Sequence, residues 1–289
     1  MFTQLLVAGL AIGSIYALLG LALVLIHKAT GVVNFAQGEM AMFTTFIAYV
    51  LLQRLQVPLV AAFLIVPVIG AVIGALTERL VVRPIGNTSQ VNAVIASIGL
   101  FIVFNQGAGW IWGYDPYRFP SLFSSEPVSF AGARVAPNSI GVLALSLAVM
   151  AVLFGFFEFT RAGVAMRAAS MNPRAAQLMG IDVERAGMFA WALGGAIGAV
   201  CGMLIAPTLF LDFEMMSAVL LKAFAGAIIG GFNSTIGVVI GCLLLGVAEV
   251  LFGGYVSGAF KDAFAFVAIV LFLMFKPAGL FGHSGIKKV

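Results

Sequence analysis

The sequence predicts an all-α fold: a polytopic membrane helix bundle of about eight to nine membrane segments, some broken or re-entrant. Three observations carry that prediction. Hydrophobic residues make up 62% of the chain and charged residues 9%, against about 25% charged in soluble domains. The mean hydropathy is +1.14. Apolar runs approaching the roughly 20 residues that cross a hydrocarbon core recur along the whole length. A surface so poor in charge has lipid as its solvent.

The first run, Leu5–Ile26, contains no charged residue. Met1–Gln4 carries no basic residue, the run is long, and no small-residue cleavage site follows. It therefore reads as a retained first helix and not as a cleaved signal. Further segments follow at Met40–Leu52, Pro58–Leu76, Val91–Trp112, Ile140–Phe159, Met188–Ala206, Met215–Gly231, Ile236–Phe252 and Ala263–Phe275. Met40–Leu52 and Met215–Gly231 are short or interrupted by glycine. In transporters such segments are candidates for broken helices whose freed backbone lines a cavity. Small residues four apart recur at Gly9/Gly13, Gly70/Gly74, Gly194/Gly198/Gly202, Gly226/Gly230 and Gly237/Gly241. They allow helices to pack closely. Cys201 and Cys242 lie inside apolar segments as small hydrophobes, and neither a disulfide framework nor a metal-binding spacing is present.

Orientation follows from Lys and Arg, which concentrate in cytoplasmic loops. With Arg79 and Arg83 inside, Lys28, Arg161, Arg167, Arg174, Arg185, Lys276, Lys287 and Lys288 also fall inside. Only Arg54, Arg118 and Arg134 fall outside. Lys222 and Lys261 stand within or at the edge of apolar segments and are not counted. The bias puts the N-terminus outside and the C-terminus inside, provided that Met215–Gly231 crosses. The net charge of +4 is thus sorted by membrane side and forms no nucleic-acid surface. The longest outside stretch, Gly113–Ser139, holds four of the ten prolines. Its alternating Val128–Val135 predicts a small hairpin. Trp110, Trp112, Tyr114 and Tyr117 stand where the fourth segment leaves the membrane, the depth that amphipathic aromatics prefer.

Three polar stretches interrupt the apolar pattern. The first is Arg161–Arg185 on the cytoplasmic side. Asn172 is a good N-cap and Pro173 suits the first helical position. Arg174, Ala175, Ala176, Gln177, Leu178 and Met179 continue a helix of about two turns, and Gly180 stops it. Asp182 can cap the next helix. A helix this short is marginal in water and needs a partner surface; the alternative partner is the lipid surface itself. The second stretch is Gly31–Glu39. Asn34, Gln37 and Glu39 sit near or within the membrane, where a carboxylate is costly and faces a cavity or a partner. They read as walls of a translocation path or a gate hinge, or, for Glu39, as a charge at a helix N-terminus. The third is the turn Gly230–Gly237, where Ser234 or Thr235 can cap the following helix. Glu249, inside that helix, is a further path or gate candidate. Lys222, also within an apolar segment, invites the same reading, with snorkelling to an interface as the alternative.

GSIYALLGLALVLIHKATGVVNFAQGEM, with Asn34, Phe35, Ala36, Gln37, Gly38 and Glu39, resembles the first helix and NFA-[HQ]-GE signature of the H-type permeases of branched-chain amino acid ABC importers. RAASMNPRAAQLMGIDVER resembles the cytoplasmic coupling loop of that family, at Asn172, Pro173, Ala175, Ala176, Met179, Gly180 and Ile181. KAFAGAIIGGFNSTIG resembles its late glycine-rich turn, and LFLMFKPAGLFG its C-terminal ending. The likeness spans nearly the whole chain. Asn233 stands where the family usually has Gly, and because Asn tolerates left-handed backbone the turn is expected to be kept.

The resemblance implies a single transmembrane permease domain over 1–289, with 113–139 a periplasmic loop and 160–187 the cytoplasmic coupling loop. It implies a multi-pass protein of the bacterial inner membrane that pairs with a second related permease, different or identical. Two cytoplasmic ATPase subunits would dock on the coupling helices, and a periplasmic binding protein would deliver the solute. No GxxxxGK[ST] loop occurs, so ATP and magnesium would belong to the partner ATPases and this chain needs no cofactor. The implied solute is a branched-chain amino acid; similar permeases serve urea, short amides and aromatic acids. A self-contained secondary transporter would need an ion site within the bundle, for which Glu39 and Glu249 are the candidates. A membrane enzyme would need a catalytic set, and with only His27 and His283, both near segment ends, no catalytic residue is identified.

Overall fold

The computed structural model describes residues 1–85, 90–124, 126, 128–130, 133–276 and 279–281, with backbone alone at 90, 128–130 and 133–135. His283, Lys287 and Lys288 lie outside the described residues. The helices run in order α1 (Phe2–Thr30), α2 (Gln37–Gln53), α3 (Leu59–Thr77), a π-helical turn (Glu78–Val82), α4 (Arg83–Ile85), α5 (Gln90–Trp112), α6 (Pro137–Phe159), α7 (Arg161–Met171), α8 (Pro173–Leu178), α9 (Val183–Leu209), α10 (Ser217–Gly230), α11 (Thr235–Tyr255) and α12 (Lys261–Phe275). All nine apolar runs are helical. Strands β1 (Val128–Phe130) and β2 (Ala133–Val135) pair antiparallel, Val128 opposite Val135, as the alternation predicts.

Among the described residues six helices are long and apolar enough to cross a membrane: Phe2–Thr30, Leu59–Ile85, Val91–Trp112, Pro137–Phe159, Val183–Leu209 and Thr235–Tyr255. The remaining apolar helices, α2, α10 and α12, have 17, 14 and 15 residues, which at 1.5 Å per residue fall short of a hydrocarbon core about 30 Å thick. Val60, Leu64, Val68, Val72 and Leu76 are all exposed. Four-residue spacing puts them on one stripe of α3, apolar and uncovered as a lipid-facing stripe requires.

The chain divides into two compact units. One comprises Met1–Val24, Phe123–Leu147 and Val219–Val289. Here the predicted glycine pairs are helix contacts. A Cβ added to Gly13 would lie 2.9 Å from the Leu243 Cα, and one on Gly226 would lie 2.7 Å from the Cys242 Cα. Only glycine permits these approaches of α1 and α10 to α11. Ser234 caps α11, its hydroxyl accepting from the Gly237 N–H at 3.0 Å. In the α10–α11 turn the positive φ lies at Gly231 (+103°), and Asn233 is not among the positive-φ residues. The turn is kept as expected, but without asking Asn233 for left-handed backbone.

The other unit comprises Leu25–Leu122 and Ala148–Ala218. Gly70 meets Gly195 and Gly74 meets Trp191 backbone to backbone, which locks α3 onto α9. Trp191, fully buried, centres a cluster with Ile26, Val32, Met40 and Val82. Trp112 stacks on Phe46 with centroids 5.0 Å apart, and the Tyr117 hydroxyl donates to the Trp112 carbonyl at 2.7 Å. Of the expected interfacial aromatics, Trp110 is exposed while Trp112 and Tyr117 instead tie the loop after α5 onto α2.

Candidate functional site

The Gly31–Glu39 stretch is an unwound connection between α1 and α2. Gly31 adopts φ +71° and lets the chain leave α1. Asn34 Oδ1 accepts from the Ala36 N–H at 3.0 Å, closing a local turn, and Asn34 Nδ2 donates to Gln37 Oε1 at 3.0 Å. Gln37 Nε2 in turn donates to the Gly194 carbonyl of α9 at 2.7 Å. Both side chains are fully buried. A Cβ on Gly198 would come within 2.9 Å of Gln37 Nε2, so the small residues of α9 make room for this clamp. In this conformation Asn34 and Gln37 fasten the start of α2 to α9, a role for which the sequence offered only wall, hinge or cap.

Glu39 is the third residue of α2 and is completely buried. Its Oε2 accepts from Asn105 Nδ2 at 3.1 Å, and its Oε1 from the Ser217 hydroxyl at 3.3 Å. Asn105 Nδ2 also donates to the Phe213 carbonyl at 2.8 Å. The carboxylate therefore gathers α2, α5 and the turn that leads into α10. Among the described residues no ion pair engages it. Asn105 and Ser217 are absent from the sequence reading, because an Asn or Ser inside an apolar helix has many structural uses and no spacing links either to residue 39.

Glu249, equally buried, stands in different surroundings. Lys222 Nζ lies 2.7 Å from its Oε1 and also pairs with Asp262 Oδ1. Lys261 Nζ approaches the same oxygen at 3.5 Å, and the Tyr16 hydroxyl donates to Oε2 at 3.0 Å. Lys222 is itself 6% exposed. Of the two readings of Lys222, snorkelling to an interface does not hold: two carboxylates hold the ammonium inward. The same contacts supply the partner that the sequence could not name for Glu249.

The signals in the Arg161–Arg185 loop are realised at the atomic level. Asn172 Oδ1 accepts from the Ala175 N–H at 3.0 Å, Pro173 occupies the first turn of α8, and Gly180 adopts φ +82°. Ile181 N–H bonds to the Ala176 carbonyl and Gly180 N–H to the Gln177 carbonyl, both at 3.0 Å, which is the Schellman pattern of a glycine stop. Asp182 caps α9 through the Arg185 N–H. Ala176 alone of α8 is buried, packed with Met166, Ala169, Ala186 and Ala190. Asn172, Pro173, Arg174, Ala175, Met179 and Gly180 are exposed, as is Leu178 at 88%. So Ala176 seats the helix on its own chain, and the bulky Leu178 and Met179 face outward. Arg83 braces this side by pairing with Glu78 at 2.9 Å and Glu184 at 3.2 Å.

Among the described residues, six helices long and apolar enough to cross a membrane, an unwound polar connection between α1 and α2 and a capped surface helix are the features of a multi-pass membrane protein. Residues 5–274 match the family described as "Branched-chain amino acid transport system / permease component", and the chain belongs to that family. It is 30% identical to the high-affinity branched-chain amino acid transport system permease protein LivH of Escherichia coli (strain K12), over 100% of this chain and 98% of that one. It is 29% identical, with the same coverage, to the corresponding permease protein BraD of Pseudomonas aeruginosa. Among solved structures, PsaBC from Streptococcus pneumoniae in complex with Fab shares the fold, with a TM-score of 0.51 at 13% identity over 96% of this chain and 93% of that one.

Proposed function

We propose that this chain is the transmembrane subunit of an ATP-driven importer that takes up branched-chain amino acids across the bacterial inner membrane. The observation that carries the reading is end-to-end similarity to LivH and BraD. Eight or nine segments span or re-enter the bilayer, the short α2 and α10 being the re-entrant candidates, with the N-terminus outside and the C-terminus inside. The whole of 1–289 acts as one permease domain, with 113–139 periplasmic and 160–187 cytoplasmic. A second related permease completes the pathway, a periplasmic binding protein loads it, and two ATPases hold the ATP and magnesium.

In this reading α8 is the coupling helix, presenting Arg174, Ala175 and Leu178 to an ATPase while Ala176 anchors it from behind. Asn34 and Gln37 hinge the start of α2, and Glu39 belongs to the path. Glu249 supports the gate region as part of an ion-paired cluster. Its pairing with Lys222 removes Glu249 from the ion-site candidates of the secondary-transporter alternative, which leaves that reading with Glu39 alone.

The test is reconstitution of the permease pair, ATPases and binding protein in liposomes, with L-leucine, urea, a short amide and benzoate as solutes. ATP-dependent uptake of leucine above the others is expected; preference for another solute would move the assignment within the family, and ATP-independent uptake would favour the secondary transporter. Gly180→Val forces a β-branched residue into left-handed backbone. It is expected to uncouple ATP hydrolysis from uptake while the permease still inserts.

A further inference from the structure

We propose that Glu39 is the solute-selecting residue of this permease: its buried carboxylate receives the α-ammonium group of the transported amino acid. The inference rests on the reading above that the solute is an amino acid, and adds the residue that distinguishes it from uncharged solutes. Glu39 is 0% exposed, and its partners are neutral, Asn105 at 3.1 Å and Ser217 at 3.3 Å. Burial of a carboxylate without a cation is strongly unfavourable, and ionisable groups at membrane depth are kept for function. The other fully buried acid, Glu249, has its cation built in. Among the described residues the protein supplies none at Glu39, which leaves the carboxylate able to take a positive charge that the solute brings. An amino acid carries it on its ammonium; urea and amides do not.

The surroundings fit a site that opens. The Ser217 contact is the longer of the two and comes from the first residue of α10. The turn before it is entered through Phe210, a bulky residue at φ +66°. Such a conformation persists only where neighbours impose it and is found at switch regions and ligand clamps. Asn105 divides its amide between Glu39 and the Phe213 carbonyl of that same turn. Movement of the turn therefore withdraws Ser217 and loosens Asn105 together, uncovering the carboxylate. Glu214, exposed on the turn, adds negative potential at Glu39, which favours an arriving cation.

The test is equilibrium binding of radiolabelled L-leucine to the purified permease–ATPase complex without the binding protein, alongside uptake by the complete system. Glu39→Gln keeps the size of the side chain and an acceptor for Asn105 but removes the charge. It is expected to weaken leucine binding by about tenfold or more, the scale of one hydrogen bond to a charged group, with assembly and melting unchanged. Ser217→Ala, which removes a competitor for the carboxylate, is expected to bind leucine as well as wild type or better. Isocaproate, leucine without its ammonium, is expected to compete at least about tenfold more weakly, again the scale of one such bond. This comparison needs only wild-type protein, should Glu39→Gln fail to assemble. Leucine uptake by wild type with unaltered binding in Glu39→Gln, equal competition by isocaproate, or no leucine binding to the wild-type complex would each overturn the proposal and leave the importer reading standing. Absence of leucine uptake by the complete wild-type system would instead remove the importer reading itself.

Discussion

Glu39 and Glu249 are the same residue type, equally buried in apolar helices, and the sequence reads both as path or gate candidates. Their surroundings separate them. Glu249 is enclosed by Lys222, Lys261 and the Tyr16 hydroxyl, with Asp262 sharing the Lys222 ammonium. Among the described residues Glu39 meets only an amide and a hydroxyl. A carboxylate that carries its own cation is part of the architecture, and removing that cation should damage the fold. A carboxylate held by neutral dipoles tolerates loss of its charge, and what suffers is whatever the charge was kept for.

The sharpest way to break this contrast is Lys222→Met. It leaves Glu249 buried beside only the more distant Lys261, and stranding one member of a buried pair typically costs about 3–5 kcal/mol. Severe loss of melting temperature and yield is expected. Lys222→Met with Glu249→Gln removes both charges and should recover much of the loss, because a neutral pair of similar volume is often tolerated. A single mutant that melts like wild type would show that the cluster does not hold α10 to α11.

Next in size is the opposite test at the other glutamate. Glu39→Gln exchanges one acceptor oxygen for an amide and leaves both neighbours able to hydrogen-bond. A stability change below about 1 kcal/mol is expected, within the net worth of a single hydrogen bond, read as the melting temperature of the detergent-purified complex. A drop as large as that of Lys222→Met would make Glu39 a structural charge and dissolve the distinction.

The contrast was invisible in the sequence because partners decide it. Residues 222, 249 and 262 belong to three helices, and nothing in their spacing announces that Lys222 lies between two acids. Local signals fared differently. Asn172, Pro173, Gly180, Asp182 and Ser234 each acquired the role that their type and position imply, since caps and glycine stops involve residues three to five apart. The glycine pairs were legible as close-packing sites, though not the helices they meet. Which side of α8 turns inward was not legible: Ala175 and Ala176 are alike in sequence, and only the packed cluster around Met166 and Ala190 selects Ala176. Every predicted apolar run proved helical, while α2, α10 and α12 proved too short for length alone to class them as spans.

The smallest expected effect concerns the outer member of the cluster, Asp262. Its side chain is 72% exposed, against 0% for Glu249, so solvent already screens it and little desolvation is at stake. Asp262→Asn leaves an oxygen able to accept from the Lys222 ammonium, and Lys222 keeps Glu249 as its ionised partner. Exposed ion pairs contribute about 0–1 kcal/mol, and the melting temperature should fall by no more than a small fraction of the Lys222→Met shift. The ordering of the two acids is the informative quantity. If Asp262→Asn destabilised as much as loss of the lysine, the essential contact of Lys222 would be its tie to the start of α12, and neutralisation of Glu249 would not explain why a lysine is buried there. If Asp262→Asn is silent while Lys222→Met is severe, the lysine is present for the buried glutamate, and the absence of such a lysine at Glu39 among the described residues becomes a difference in kind.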